Sequence, residues 1–173
     1  MSKKAKRVAI LVEELYQVLE VWYPWLRLRE EPGIEVKFIG SGTKESYPSK
    51  EGYPVKADYS IAQVNSEDFD AVIIPGGFAP DFMRRTPKMA EFIRAIHDQG
   101  GVVASICHGG WMLVSAGILK GRKATSFFAI KDDLIAAGAK WIDAEVVVDK
   151  NLITSRKPDD LTKFTVEIIK QLK

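Results

Sequence analysis

The sequence predicts an α/β fold, a mostly parallel sheet covered by helices on both faces. Three observations point there. Strand-like and helix-like segments alternate along the whole chain. Two strand-like runs, Ala71–Ile74 and Val102–Ile106, are small and almost wholly apolar, as strands buried on both faces must be. No linker, repeat or low-complexity stretch divides the 173 residues, so a single domain over residues 1–173 accounts for them.

The elements follow in order. Arg7–Val12 is the first strand. Gln17–Glu31 reads as a helix kinked at Pro24 and stopped by Pro32-Gly33. Glu35–Ile39 is a second strand, and Tyr47–Val55, with Pro48, Gly52 and Pro54, is a hairpin or irregular excursion. The apolar strand Ala71–Ile74 runs directly into Pro75-Gly76-Gly77. Thr86–Gln99 is a helix capped by Thr86, with Pro87 at its first position. Val102–Ile106 is the central strand, and Trp111–Gly117 a helix closed by glycine. Ile130–Ala137 is a short helix ended by Gly138. Val146–Val148 and Leu152–Thr154 flank the turn Asp149-Lys150-Asn151, and Asp159–Leu172 is the closing helix.

Composition bounds the function. Hydrophobic residues make up 46% and charged residues 28%, the balance of a soluble globular protein. A net charge of +2 is too small to point to nucleic acid or an anionic membrane. No apolar run reaches membrane-spanning length. The basic start, Met1–Arg7, leads straight into a strand rather than a signal segment and reads as a solvated tail; the cytoplasm is the expected compartment. One cysteine excludes an internal disulfide, and one cysteine with two histidines argues against a structural zinc. No metal or cofactor is expected.

Cys107 carries the chemistry. It sits where a strand turns into a helix, with a helix N-terminus aimed at it, and helix ends favour thiolate over thiol. Serine hydrolases of the α/β class use the same strand–nucleophile–helix geometry. A lone cysteine is most often a small core hydrophobe. The flanking His108-Gly109-Gly110 reverses those odds, because glycines clear space at the sheet rim. Gly76-Gly77 follows another strand end, where bare backbone N–H groups can approach a ligand, and Glu13–Gln17 follows the first. In open α/β sheets these carboxyl ends form the site. A nucleophile, an oxyanion hole and a polar side chain therefore converge.

The segments Ile73–Gly77, Ala104–Gly109, Leu119–Arg122, Asp143–Asp149 and Thr154–Leu161 resemble the DJ-1/PfpI family, most closely its PfpI-like intracellular protease branch. The likeness covers nearly the whole chain. It implies a flavodoxin-like three-layer sandwich, akin to the class I glutamine amidotransferase fold, and a homodimer or trimer of dimers. It also implies roles: Cys107 as nucleophile, Gly77 and the His108 amide as oxyanion donors beside Gly76 and Gly109, and His108 as the histidine after the cysteine. The partner of that histidine is an acid donated by a neighbouring subunit, here Asp81 in place of the usual Glu. Anchoring on Glu20–Pro24 puts Gln17 where the family carries a Glu beside the cysteine, which would keep a hydrogen-bond donor and lose proton exchange. Phe127 replaces a frequent Tyr.

The implied activity is addition of the Cys107 thiolate to a carbonyl, as a glyoxalase III or deglycase-type enzyme or as a PfpI-like peptidase. The alternative is a non-enzymatic stress protein, a thiol redox sensor or a holdase chaperone. Either the small carbonyl or the peptide would be the bound partner, besides a second copy of the chain. The remaining conspicuous residues read as structural. Trp22, Tyr23, Trp25 and Leu26 would be core or subunit interface, and Trp111 would line the pocket or pack on the sheet. Arg156 would bind carboxylates such as Asp159, and His97 would serve only its helix end.

Overall fold

A computed structural model describes residues 5–173; most of the expected basic tail, residues 1–4, lies outside them. In chain order the elements are β1 (Lys6–Val12), α1 (Val18–Arg29), β2 (Ile34–Gly40), β3 (Ser46–Pro48), β4 (Pro54–Lys56), β5 (Tyr59–Ser60) and β6 (Ala71–Ile74). Then come α2 (Ala79–Met83), α3 (Pro87–Asp98), β7 (Val102–Ile106), α4 (Gly110–Ala116), β8 (Lys123–Ala124) and α5 (Lys131–Ala136). The chain closes with β9 (Lys140–Trp141), β10 (Val146–Asp149), β11 (Leu152–Ser155) and α6 (Leu161–Leu172).

Among the described residues the central sheet has seven strands in the order β10-β11-β7-β6-β1-β2-β5. Every pair is parallel except β10 with β11. The fold is thus α/β with a mostly parallel central sheet. β6 and β7 are buried at every residue, which explains their unbroken apolar character. The expected hairpin over Tyr47–Val55 forms as the antiparallel pair β3–β4. α1 runs without a break through Pro24, and it packs with α6 while α3 packs with α4. No described helix is long and apolar enough to cross a membrane.

The topology positions the site. β1 is bonded to β2 on one side and to β6 on the other, so the crossovers leave in opposite directions between β1 and β6. The carboxyl ends of β1, β6 and β7 therefore open together, and their next residues are Glu13–Gln17, Pro75–Gly77 and Cys107–Gly109.

Two structural readings need correction. Arg156 forks onto Asp160, with Nε at 2.9 Å and Nη2 at 3.2 Å, and reaches Asp143 at 2.8 Å, whereas Asp159 pairs with Lys157. Asp160 is buried before α6, and burial selects the carboxylate that the guanidinium must neutralise. His97 does more than cap a helix. Its Nδ1 meets Asp98 at 2.9 Å and its Nε2 meets Arg122 at 3.0 Å.

Candidate active site

Cys107 closes β7 with a left-handed backbone, φ +59°, before a tight turn over Cys107–Gly109 leads into α4. A non-glycine residue there costs about 1–3 kcal/mol and persists only when its surroundings over-determine it. The turn lifts the side chain to the sheet rim yet leaves the residue only 8% exposed. The backbone N–H groups of Gly77 and His108 donate to its sulfur. His108 Nδ1 lies 3.4 Å from Sγ. The imidazole stacks on Phe127, centroids 5.1 Å apart, and meets the edge of Trp111 at 5.2 Å. Burial, reinforced by the charge of Lys50, lowers the His108 pKa, so the ring is neutral at neutral pH. Trp111 is in turn tied to Asp133 through its indole N–H, at 2.8 Å.

The carboxyl beside the sulfur belongs to Glu20. Gln17 does not stand there. It is the N-cap of α1, and its side-chain oxygen accepts the Glu20 N–H at 3.0 Å, so the amide is spent on the helix start. Glu20, one turn further on, is fully buried. Gly76 N–H donates to its Oε2 at 2.6 Å. Its Oε1 is buried without a hydrogen-bond partner among the described residues, and the side chain acting on it is Cys107. Burial pushes Glu20 up to about 7, against the opposing pull of the Gly76 N–H and Cys107. The acid was legible in the helix period, since Glu20, Pro24 and Leu28 form one inward stripe spaced by four and all are buried.

The expectation of a depressed Cys107 pKa is overturned by the same geometry. Burial and the adjacent Glu20 charge push the thiol up to about 12, against the Gly77 and His108 N–H donors. Two anions side by side in a buried place oppose each other. The pair therefore loses one proton near neutrality and holds the second strongly.

Both glycines of Pro75-Gly76-Gly77 are required by space. A Cβ on Gly76 would lie 2.7 Å from Cys107 Cβ, 2.8 Å from Glu20 Oε2 and 2.8 Å from His108 N. Gly77 has φ +69°, and a Cβ there would strike Leu15 O at 2.4 Å. Gly109 packs against the Ile74 carbonyl, which fits it to the turn. Asp81, at the start of α2, is held within its own chain by Arg85. The structure thus brings Cys107, His108, Gly76 and Gly77 together, adds Glu20 and sets Gln17 aside.

The DJ-1/PfpI family model matches residues 6–171. The chain belongs to the DJ-1/PfpI family. A Pyrococcus horikoshii protein named a deglycase is 46% identical over 167 residues, covering 96% of this chain and 99% of that one. Bacillus subtilis YraA, whose name calls it a candidate cysteine protease, is 40% identical over 169 residues, covering 98% and 99%. Among solved structures, an Anabaena variabilis two-domain protein with DJ-1/ThiJ/PfpI-like and ferritin-like domains superposes with a TM-score of 0.93 at 43% identity, over 96% of this chain and 48% of its own. Drosophila melanogaster DJ-1beta superposes at 0.88 with 28% identity, over 97% and 90%. In this chain the buried Glu20 lies in the first turn of α1, and Phe127 stacks against His108.

Proposed function

We propose that this protein is a cysteine-dependent enzyme that converts small α-oxoaldehydes to hydroxy acids. The observation that carries the reading is Glu20, a buried carboxyl with a pKa near 7 beside the only thiol. The Glu20 carboxylate takes the Cys107 proton, and the thiolate adds to the aldehyde carbon. The Gly77 and His108 N–H groups turn from sulfur to the new oxyanion. Glu20 returns its proton to that oxygen, giving a hemithioacetal. Removal of the proton on the sulfur-bound carbon and its return to the neighbouring carbon, both through Glu20, with transfer of the hydroxyl proton to the neighbouring oxygen by way of an enediol, convert the hemithioacetal to a thioester. Water cleaves the thioester to the hydroxy acid and the thiol, so the net reaction adds one water to the oxoaldehyde. With Glu20 in place, the loss of proton exchange expected from Gln17 does not arise. Relatives named deglycases support the same carbonyl chemistry.

A second reading is peptide cleavage, favoured by the 3.4 Å contact between Sγ and His108 Nδ1. It requires Asp81 of a neighbouring subunit to orient His108, and hence a homodimer or larger assembly. In one chain Asp81 is engaged by Arg85, so assembly would have to release it.

Lactate formation from methylglyoxal, measured beside peptide hydrolysis, decides between them. Turnover of methylglyoxal that vanishes in Cys107→Ala and rises with pH through about 7 supports the oxoaldehyde reading, because Glu20 must be ionised to take the thiol proton. Peptide hydrolysis without lactate would replace it with the second. Neither product, with a thiol that oxidises readily, would leave a redox protein.

A further inference from the structure

We infer that Lys50 receives a carboxylate on the substrate, so that the preferred substrates are α-oxoaldehydes carrying a terminal anionic group. This rests on the oxoaldehyde reading and names its substrate class. Lys50 lies at the tip of the β3–β4 hairpin. The tip is fastened to the site by backbone. Lys50 N–H donates to Tyr16 O at 3.0 Å, and Leu15 N–H to Pro48 O at 2.8 Å. Tyr16 is bridged to Ser49 on one side and to Gly77 on the other. Gly77 N–H points at the sulfur. Two backbone pairings therefore separate the Lys50 main chain from the oxyanion donor. The buried Tyr16 hydroxyl locks the hairpin further by donating to Tyr53 O at 2.7 Å.

The charges around the cleft hold Lys50 only loosely, through one exposed ion pair with Glu51. Its side chain is 51% exposed, and its positive charge is felt at both Glu20 and His108. Its neighbour Glu51 accepts the Val18 N–H at 3.3 Å through Oε2 and forms a long ion pair with the ammonium through Oε1 at 3.7 Å, a contact that a substrate carboxylate would replace. Glu14 is paired with Lys44. Glu20 is fully buried, and its Oε2 is taken by the Gly76 N–H at 2.6 Å. A half-exposed ammonium on a hairpin fastened beside the nucleophile can serve as an anion receptor, and a charge-assisted bond there is among the stronger ones available.

Two measurements test this. The first compares alkylation of Cys107 by iodoacetate, which is anionic, with iodoacetamide, which is neutral and of the same shape. The ratio of the two rates cancels any change in thiolate fraction. It should fall about tenfold in Lys50→Gln and recover in Lys50→Arg, the size expected for losing one charge-assisted bond. The second compares kcat/KM for dioxovalerate, an α-oxoaldehyde with a terminal carboxylate, with that for methylglyoxal. The ratio should favour dioxovalerate in the native protein and fall about tenfold in Lys50→Gln, mainly through KM. An alkylation ratio that ignores residue 50 overturns the anion receptor whether or not the protein is an enzyme. A Lys50-dependent alkylation ratio with neither oxoaldehyde consumed upholds the receptor and overturns the oxoaldehyde reading. Equal use of both oxoaldehydes, independent of residue 50, overturns the substrate class alone.

Discussion

The two histidines of this chain sit in opposite kinds of place. His97, at the end of α3, has both ring nitrogens engaged, Nδ1 by Asp98 and Nε2 by Arg122. Arg122 also holds Asp149 at 3.2 Å, and Asn151 donates to the carbonyls of His97 and Gly101 at 3.0 and 2.9 Å. The Lys123 N–H, followed by Arg122, lowers the Asp149 pKa from its ordinary value. Charge is matched to charge and donor to acceptor. At the other end of β7, His108 leans on a thiol that donor N–H groups surround, beside a carboxyl with one oxygen left over. Burial raises both acids of that pair, and the surrounding N–H groups and the Lys50 charge offset it only in part. The first cluster is finished and serves stability. The second is incomplete, and its unmet interactions are available to a substrate.

Mutation should separate the two ends, with the largest effect at the sulfur. Cys107→Ala is expected to abolish lactate formation while the melting temperature stays within a few degrees of native; residual turnover by the variant would move the nucleophile elsewhere. Glu20→Gln comes next, costing roughly 100- to 10,000-fold in turnover. It should also stabilise the protein. A carboxyl raised from 4.5 to about 7 in the folded state favours folding fully below pH 4.5, and that contribution disappears as pH rises to 7. At pH 8 the neutral amide should therefore gain about 3 kcal/mol over the native carboxylate in denaturant titration. A loss of stability at that pH would mean that Glu20 is a structural anion like Asp149.

Arg122→Ala should behave in the opposite manner. It removes a guanidinium from a satisfied cluster and should cost about 2 kcal/mol of stability, with turnover per folded molecule unaltered. The smallest effect is expected from Gln17→Ala, which deletes an N-cap and should cost about 1 kcal/mol with native alkylation kinetics. A change in the pH profile of Cys107 alkylation in that variant would bring residue 17 back to the sulfur.

Much of this was legible in the sequence. The unbroken apolar runs of β6 and β7 gave away a sheet buried on both faces, and the glycines after each strand gave away the rim. The place of Cys107 at the rim was legible because strand, cysteine and helix start are contiguous. Glu20 was harder, because an acid on the inner face of a helix contradicts the usual burial preference, and Gln17 offers a side chain of the right shape three residues earlier. The pKa direction of Cys107 could not be read from the sequence, since it depends first on tertiary burial and then on Glu20, a neighbour from another element. Lys50 escaped for a similar reason: its approach to the site depends on how a hairpin folds over Tyr16. The choice of Asp160 over Asp159 by Arg156 also depends on tertiary burial that adjacent identical residues do not reveal.

Gly76 bears on how far such a site can drift. A single methyl group added at this Cα would lie within 2.8 Å of Cys107 Cβ, the Glu20 carboxyl and the His108 amide nitrogen alike. Alanine, the mildest substitution available, would push against all three at once. Variation can enlarge the cleft from the hairpin side or exchange the aromatic against His108, as Phe127 does, and leave the centre undisturbed. At position 76 no neighbouring step in sequence space is small, so lineages that explore new substrates must do so around a fixed point one hydrogen atom wide.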